Sequence, residues 1–66
     1  MHIVINGQPR EFAEGTTLAD ALKDFGVPDS GVAVAVNGTV VARDSWPATP
    51  LEPQTGIEIL TAVQGG

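Results

Sequence analysis

Sixty-six residues make one domain, near the smallest size at which a single apolar core outweighs chain entropy unaided. With no cysteine and one histidine, disulfides cannot staple it and a structural zinc finds no ligand set. Eight acidic residues against three basic ones leave a formal charge of -5, which argues against nucleic-acid phosphates and anionic membrane surfaces and favours a basic partner surface.

The chain opens on "MHIVINGQPR", which has no cationic lead and only a three-residue apolar run before Asn6. Neither a signal peptide nor a membrane span is expected, and the default location is cytoplasmic. "HIVIN" is short and β-branched, Asn6-Gly7 is a hairpin turn pair, and "PREF" can return as a second strand, so residues 1–13 are predicted to form a β-hairpin. Glu14-Gly15 breaks that strand. Thr17 and Asp20 then stand at capping-box spacing, and Leu18, Ala21, Leu22 and Phe25 share one stripe, which predicts a helix over 17–25 with Asp20, Lys23 and Asp24 turned outward. Gly26 supplies a left-handed C-terminal cap, and Pro28 blocks continuation.

"VAVAVN" at 32–37 alternates large and small apolar residues, and Asn37-Gly38 is a second hairpin signal leading into "TVVAR". "DSWPATPLEPQTG" holds three prolines and is predicted as an extended connection with one short turn after Ser45. "IEILTAV" at 57–63 is the last strand. A helix between two hairpins covers one face of one sheet, and a final strand reached by a long crossover can lie centrally, parallel to the first. The predicted fold is therefore α+β, a mixed four- to five-stranded sheet with one main helix on one face: the β-grasp arrangement.

Side-chain parity sorts the two faces. Val32, Val34 and Val36 would meet the helix with Ile3, Ile5, Ile57 and Ile59, since the bulkier set belongs in the core. The other parity collects Ala33, Ala35, Leu60 and Ala62 on a face that no remaining element can cover, which marks it as a partner-binding surface. Nothing in the chain suggests catalysis of its own: there is no Ser/His/Asp set, no phosphate-binding glycine loop and no motif pairing carboxylates. His2 lacks partners at metal-ligand spacing, Trp46 reads as a packing residue closing one end of the core, and Arg43 can pair with Asp44 or Glu11 or orient a partner contact.

Three stretches, "VAVAVNG", "VVARDSW" and "IEILTAVQGG", together closely resemble the ThiS family, the sulfur carriers of the thiamine pathway with a ubiquitin-like β-grasp fold. The most specific combination is Asn37-Gly38, Arg43 with Trp46 three residues on, and the terminal Ala62-Val63-Gln64-Gly65-Gly66. "LEPQTG" at 51–56 departs from the pattern, since similar proteins usually carry an acidic, glycine-containing turn there. The resemblance implies that the reactive group is the Gly66 carboxylate. A ThiF-like adenylyltransferase would activate it with ATP, a sulfurtransferase or cysteine desulfurase relay would convert it to a thiocarboxylate, and a ThiG-like thiazole synthase would receive the sulfur.

On that reading the chain binds no cofactor itself, is a monomer when free, and ends in a flexible tail, residues 64–66, in which Gln64 and Gly65 lead the carboxylate into an enclosed site. Glycine, lacking Cβ, can thread a narrow channel. A chain without cysteine also offers no second thiol to attack the activated carboxyl. Competing readings are a β-grasp carrier for another pathway, such as the small subunit of molybdopterin synthase or a carrier for another sulfur-containing metabolite, and a ubiquitin-like modifier or interaction module.

Overall fold

The structure is a computed structural model and describes residues 1–27 and 31–61. Strands β1 (His2–Ile5) and β2 (Gln8–Glu11) pair antiparallel with Ile5 opposite Gln8. Between them Asn6 and Gly7 sit at φ 50° and 81°, the pair of positive values that a two-residue hairpin turn requires. Helix α1 (Leu18–Phe25) begins on the expected box: the Asp20 N–H donates to Thr17 Oγ1 at 3.3 Å, and the Thr17 N–H donates to Asp20 Oδ2 at 3.5 Å. It ends at Gly26, whose N–H donates to the carbonyls of Leu22 and Lys23 and whose φ of 88° turns the chain so that the Val27 N–H also reaches the Leu22 carbonyl at 3.0 Å. Leu18, Ala21 and Leu22 are buried, while Phe25 is half-buried beneath the Arg10 guanidinium, 4.8 Å from its ring centroid.

Strands β3 (Val32–Val36) and β4 (Thr39–Val40) form the second hairpin across Asn37 and Gly38, again at positive φ. The last strand, β5 (Thr55–Thr61), lies in the middle of a five-stranded sheet ordered β2-β1-β5-β3-β4, parallel to β1 and antiparallel to β3. Ile3, Ile5, Val34, Ile57 and Ile59 meet the helix stripe, and Trp46 and Leu51 close the same core. Val32 and Val36, predicted to share that face, pack against the core half-buried. The mixed sheet with one helix on one face is the predicted β-grasp arrangement.

Three local expectations differ. β4 stops at Val40 instead of running through "TVVAR"; the Val41 N–H still donates to the Val34 carbonyl at 2.9 Å, and the chain then turns away. The connection does coil at the expected place, but as a six-residue 3-10 helix, Arg43–Ala48, that starts before Ser45 and is longer than one turn. Trp46 explains the coil: its indole is drawn into the core and its Nε1 donates to the Val41 carbonyl at 3.0 Å, which winds the chain between them. Proline is tolerated because so short a helix leaves most of its N–H groups without helical partners anyway. Finally, β5 begins at Thr55, two residues before Ile57, because Thr55 pairs with Ile3 and the Gln54 N–H donates to the His2 carbonyl at 2.6 Å. Its predicted continuation to Val63 lies outside the described residues.

The stretch around Pro50 is tied to the helix. Thr17 bridges to Pro50, with the Leu18 N–H donating to Thr49 and the Leu51 N–H to Thr16, so the connection is strapped across the start of α1. Helix, connection and sheet thus enclose one core, and among the described residues nothing covers the opposite sheet face.

Candidate functional site

β5 is both the central strand and the segment that runs toward Gly66, so its side chains divide the two faces at the root of the chain's end. Ile57 and Ile59 are buried; Glu58 and Leu60 point the other way, with Leu60 67% exposed. Ala33 stands opposite Leu60 and is exposed, and Ala35 stands opposite Glu58 and is half-buried. These are three of the four residues predicted for the uncovered face. Ala62, the fourth, lies outside the described residues, as do Gln64, Gly65 and Gly66.

Two further apolar side chains join the surface, Val40 at 71% exposure and Val4 at 38%. Both were legible. Val4 alternates with Ile3 and Ile5, and a two-residue turn at Asn37-Gly38 necessarily sets Val40 opposite Ala35. The resulting patch is small-residue and aliphatic with Glu58 as a charge within it, and a shallow depression of about 380 Å³ lined by Gly31, Val32, Ala33, Leu60 and Thr61 lies at its far end.

The strand beneath this patch is held by the two hairpin turns. Asn37 receives the Gly56 N–H on Oδ1 at 2.9 Å while its own N–H donates to the Gly56 carbonyl at 2.8 Å. On the other side Asn6 grips Ile59 at two points: the Ile59 N–H donates to Oδ1 at 2.7 Å, and Nδ2 donates to the Ile59 carbonyl at 3.3 Å. An Asn-Gly pair signals a hairpin from sequence; its reach to a third strand does not show there.

Other candidates resolve into packing and surface pairs. His2 Nδ1 lies 2.8 Å from Glu11 Oε2, and among the described residues no group of three His, Cys, Asp or Glu could hold a metal. Trp46 is a packing residue, as its burial and indole hydrogen bond show. In the atypical "LEPQTG" turn, Gln54 takes φ 66°, and Thr55 Oγ1 donates to the Glu52 carbonyl at 2.6 Å, closing the loop with its side chain. No helix among the described residues is long and apolar enough to cross a membrane.

A mixed five-stranded β-grasp sheet with one helix on one face, its other face uncovered among the described residues, defines a ubiquitin-like domain. The ThiS family model matches residues 3–66, and the chain belongs to that family. It is 37% identical over 62 residues to the sulfur carrier protein ThiS of Thermus thermophilus, covering 94% of this chain and 95% of that protein. It is also 36% identical over 66 residues to a thiazole synthase of Magnetococcus marinus, where it spans only 20% of that relative's length. The crystal structure of the thiamine biosynthesis protein ThiS from Geobacter metallireducens matches with a TM-score of 0.83 at 29% identity, covering all of both chains.

Proposed function

We propose that this chain carries sulfur for thiazole formation in thiamine biosynthesis, as a substrate of partner enzymes and not as a catalyst. The observation that carries the reading is the family match, which runs through Gly66, the residue whose carboxylate the chemistry needs. That carboxylate is ionised at neutral pH. One of its oxygens attacks the α-phosphorus of ATP on an adenylyltransferase, releasing pyrophosphate and leaving an acyl adenylate with a good leaving group. Persulfide sulfur from a relay protein displaces AMP, and a thiol reductant frees the thiocarboxylate. The softer sulfur anion is then the donor to the thiazole synthase.

Val4, Ala33, Ala35, Val40 and Leu60 form the docking face, and the activating enzyme and the synthase use it in turn because both must reach the same end. The chain's net charge of -5 favours basic surface around the partners' contact. The thiazole synthase of Magnetococcus marinus supports the choice of acceptor, since a region similar to this whole chain forms part of that protein.

The test is intact mass after incubation with an activating enzyme, ATP and a sulfur source. A fraction heavier by the difference between sulfur and oxygen, localised to Gly66 and open to alkylation in a chain without cysteine, is the expected product. Deleting Gly66 abolishes it. Gly65→Val keeps the carboxylate but widens and stiffens the thread, so adenylation falls sharply. A ladder of lysine conjugates in lysate would favour the modifier, and no change at Gly66 under any condition would favour the inert module.

A further inference from the structure

The two turn asparagines share a backbone conformation, φ 50° at each, and both bind β5, but they hold it at opposite ends. Asn37 grips Gly56 near the strand's start. Asn6 grips Ile59, beyond the point where the register with β1 stops at Ile57. Successive residues of a strand direct their backbone groups to alternate sides; the Ile57 carbonyl accepts from the Asn6 N–H at 2.9 Å, so Ile59 also faces the β1 side. There the Asn6 amide takes the place that the backbone of a further β1 residue would have filled, with one donor and one acceptor matched to the Ile59 C=O and N–H.

Among the described residues, from Ile59 onward the strand ladder supports β5 only through β3, which pairs with it as far as Val32 opposite Thr61. A strand backed on one side belongs to a two-stranded ribbon, and such ribbons twist more freely than strands inside a sheet. The side chain of Asn6 extends two-sided support as far as Ile59. We infer that Asn6 is a positioning residue for the carrier end: by clasping Ile59 it fixes the direction in which the chain leaves the sheet relative to the docking face. This rests on the carrier reading above. The lever is long, because residues 62–66 fully extended span at most about 18 Å. A change at the root of about 20°, the size of one interstrand twist, moves the end of such a chain roughly 6 Å sideways. Without the clasp that freedom must be removed each time a partner binds, so the loss falls on KM for the carrier and not on turnover of the seated complex.

Asn6→Gly keeps the positive φ of the turn and removes only the clasp; Asn37→Gly does the same at the other turn and serves as the control for lost stability. The full chain of each is followed by thermal denaturation, by hydrogen exchange at the Ile59 amide, and by pyrophosphate release with the adenylyltransferase and ATP. Expected are similar falls in Tm, faster Ile59 exchange in Asn6→Gly alone, and a KM raised roughly tenfold in Asn6→Gly with kcat within about twofold, while Asn37→Gly keeps the wild-type KM. If Asn6→Gly does not fold, Asn6→Asp replaces it: it retains the acceptor for the Ile59 N–H, loses the donor to the carbonyl, and falls between wild type and Gly. Equal KM values for the two glycine variants, or unchanged Ile59 exchange, overturn the positioning role while leaving the carrier reading intact. A wild-type chain that supports no pyrophosphate release overturns both.

Discussion

Ile59 and Leu60 are neighbours on one strand with side chains of the same size and polarity, yet one is 9% exposed and the other 67%. The difference lies in what each face has to meet. Ile59 projects toward α1 and the residues around it, where burying an aliphatic side chain contributes about 1.5–3 kcal/mol. Leu60 projects over Ala33, with no element of the fold above it among the described residues. An aliphatic side chain kept in water on the central strand, on the same sheet face as Val4 and Val40, adds nothing to the free domain's core, and on the proposed reading it serves a partner that covers it.

The same substitution made on each side should break the pair apart. Ile59→Glu places an unpaired carboxylate in the core, a cost of several kcal/mol that rivals the whole stability of so small a domain, and loss of the cooperative thermal transition is expected. Leu60→Glu should leave Tm nearly unchanged, within about 0.5 kcal/mol, because the charge stays in water. In a complex that charge is buried unpaired, so titration calorimetry with the activating enzyme or the synthase should show binding weakened by about 2–5 kcal/mol. A Leu60→Glu chain that unfolds would mean the two faces are assigned backwards.

Smaller effects sharpen the contrast between what supports the core and what trims the loops. Thr17→Ala removes the acceptor for the Asp20 N–H and should cost about 1 kcal/mol in denaturant titration, with no effect on partner affinity since α1 lies behind the sheet. Gln54→Gly should act in the opposite direction by about 0.5–1 kcal/mol. Gln54 occupies a left-handed φ of 66° that costs an L side chain, and glycine adopts it freely. A stabilised Gln54→Gly chain that carries sulfur normally would show that the atypical turn is tolerated variation; impaired carriage with intact folding would place it in a partner contact.

Much of the molecule was readable along the chain because the interactions that decide it are local. Two Asn-Gly pairs, a capping box followed by a helical stripe, and a left-handed glycine each act within about four residues, and they predicted both hairpins and the helix with its caps. Alternation alone assigns the faces, and Ala33, Ala35 and Leu60 do lie on the side away from the helix. The Gly-Gly end and the motifs around it pointed to the family. Tertiary structure decided the rest, for reasons no local pattern contains. Arg43–Ala48 coil because Trp46 must reach a core built from distant strands, and β5 starts at Thr55 because Ile3 is there to pair with it. Asn6 clasps Ile59, 53 residues away in sequence, because a parallel crossover brings the first turn beside the last strand; each hydrogen bond there depends on a neighbour that exists only once the sheet has closed.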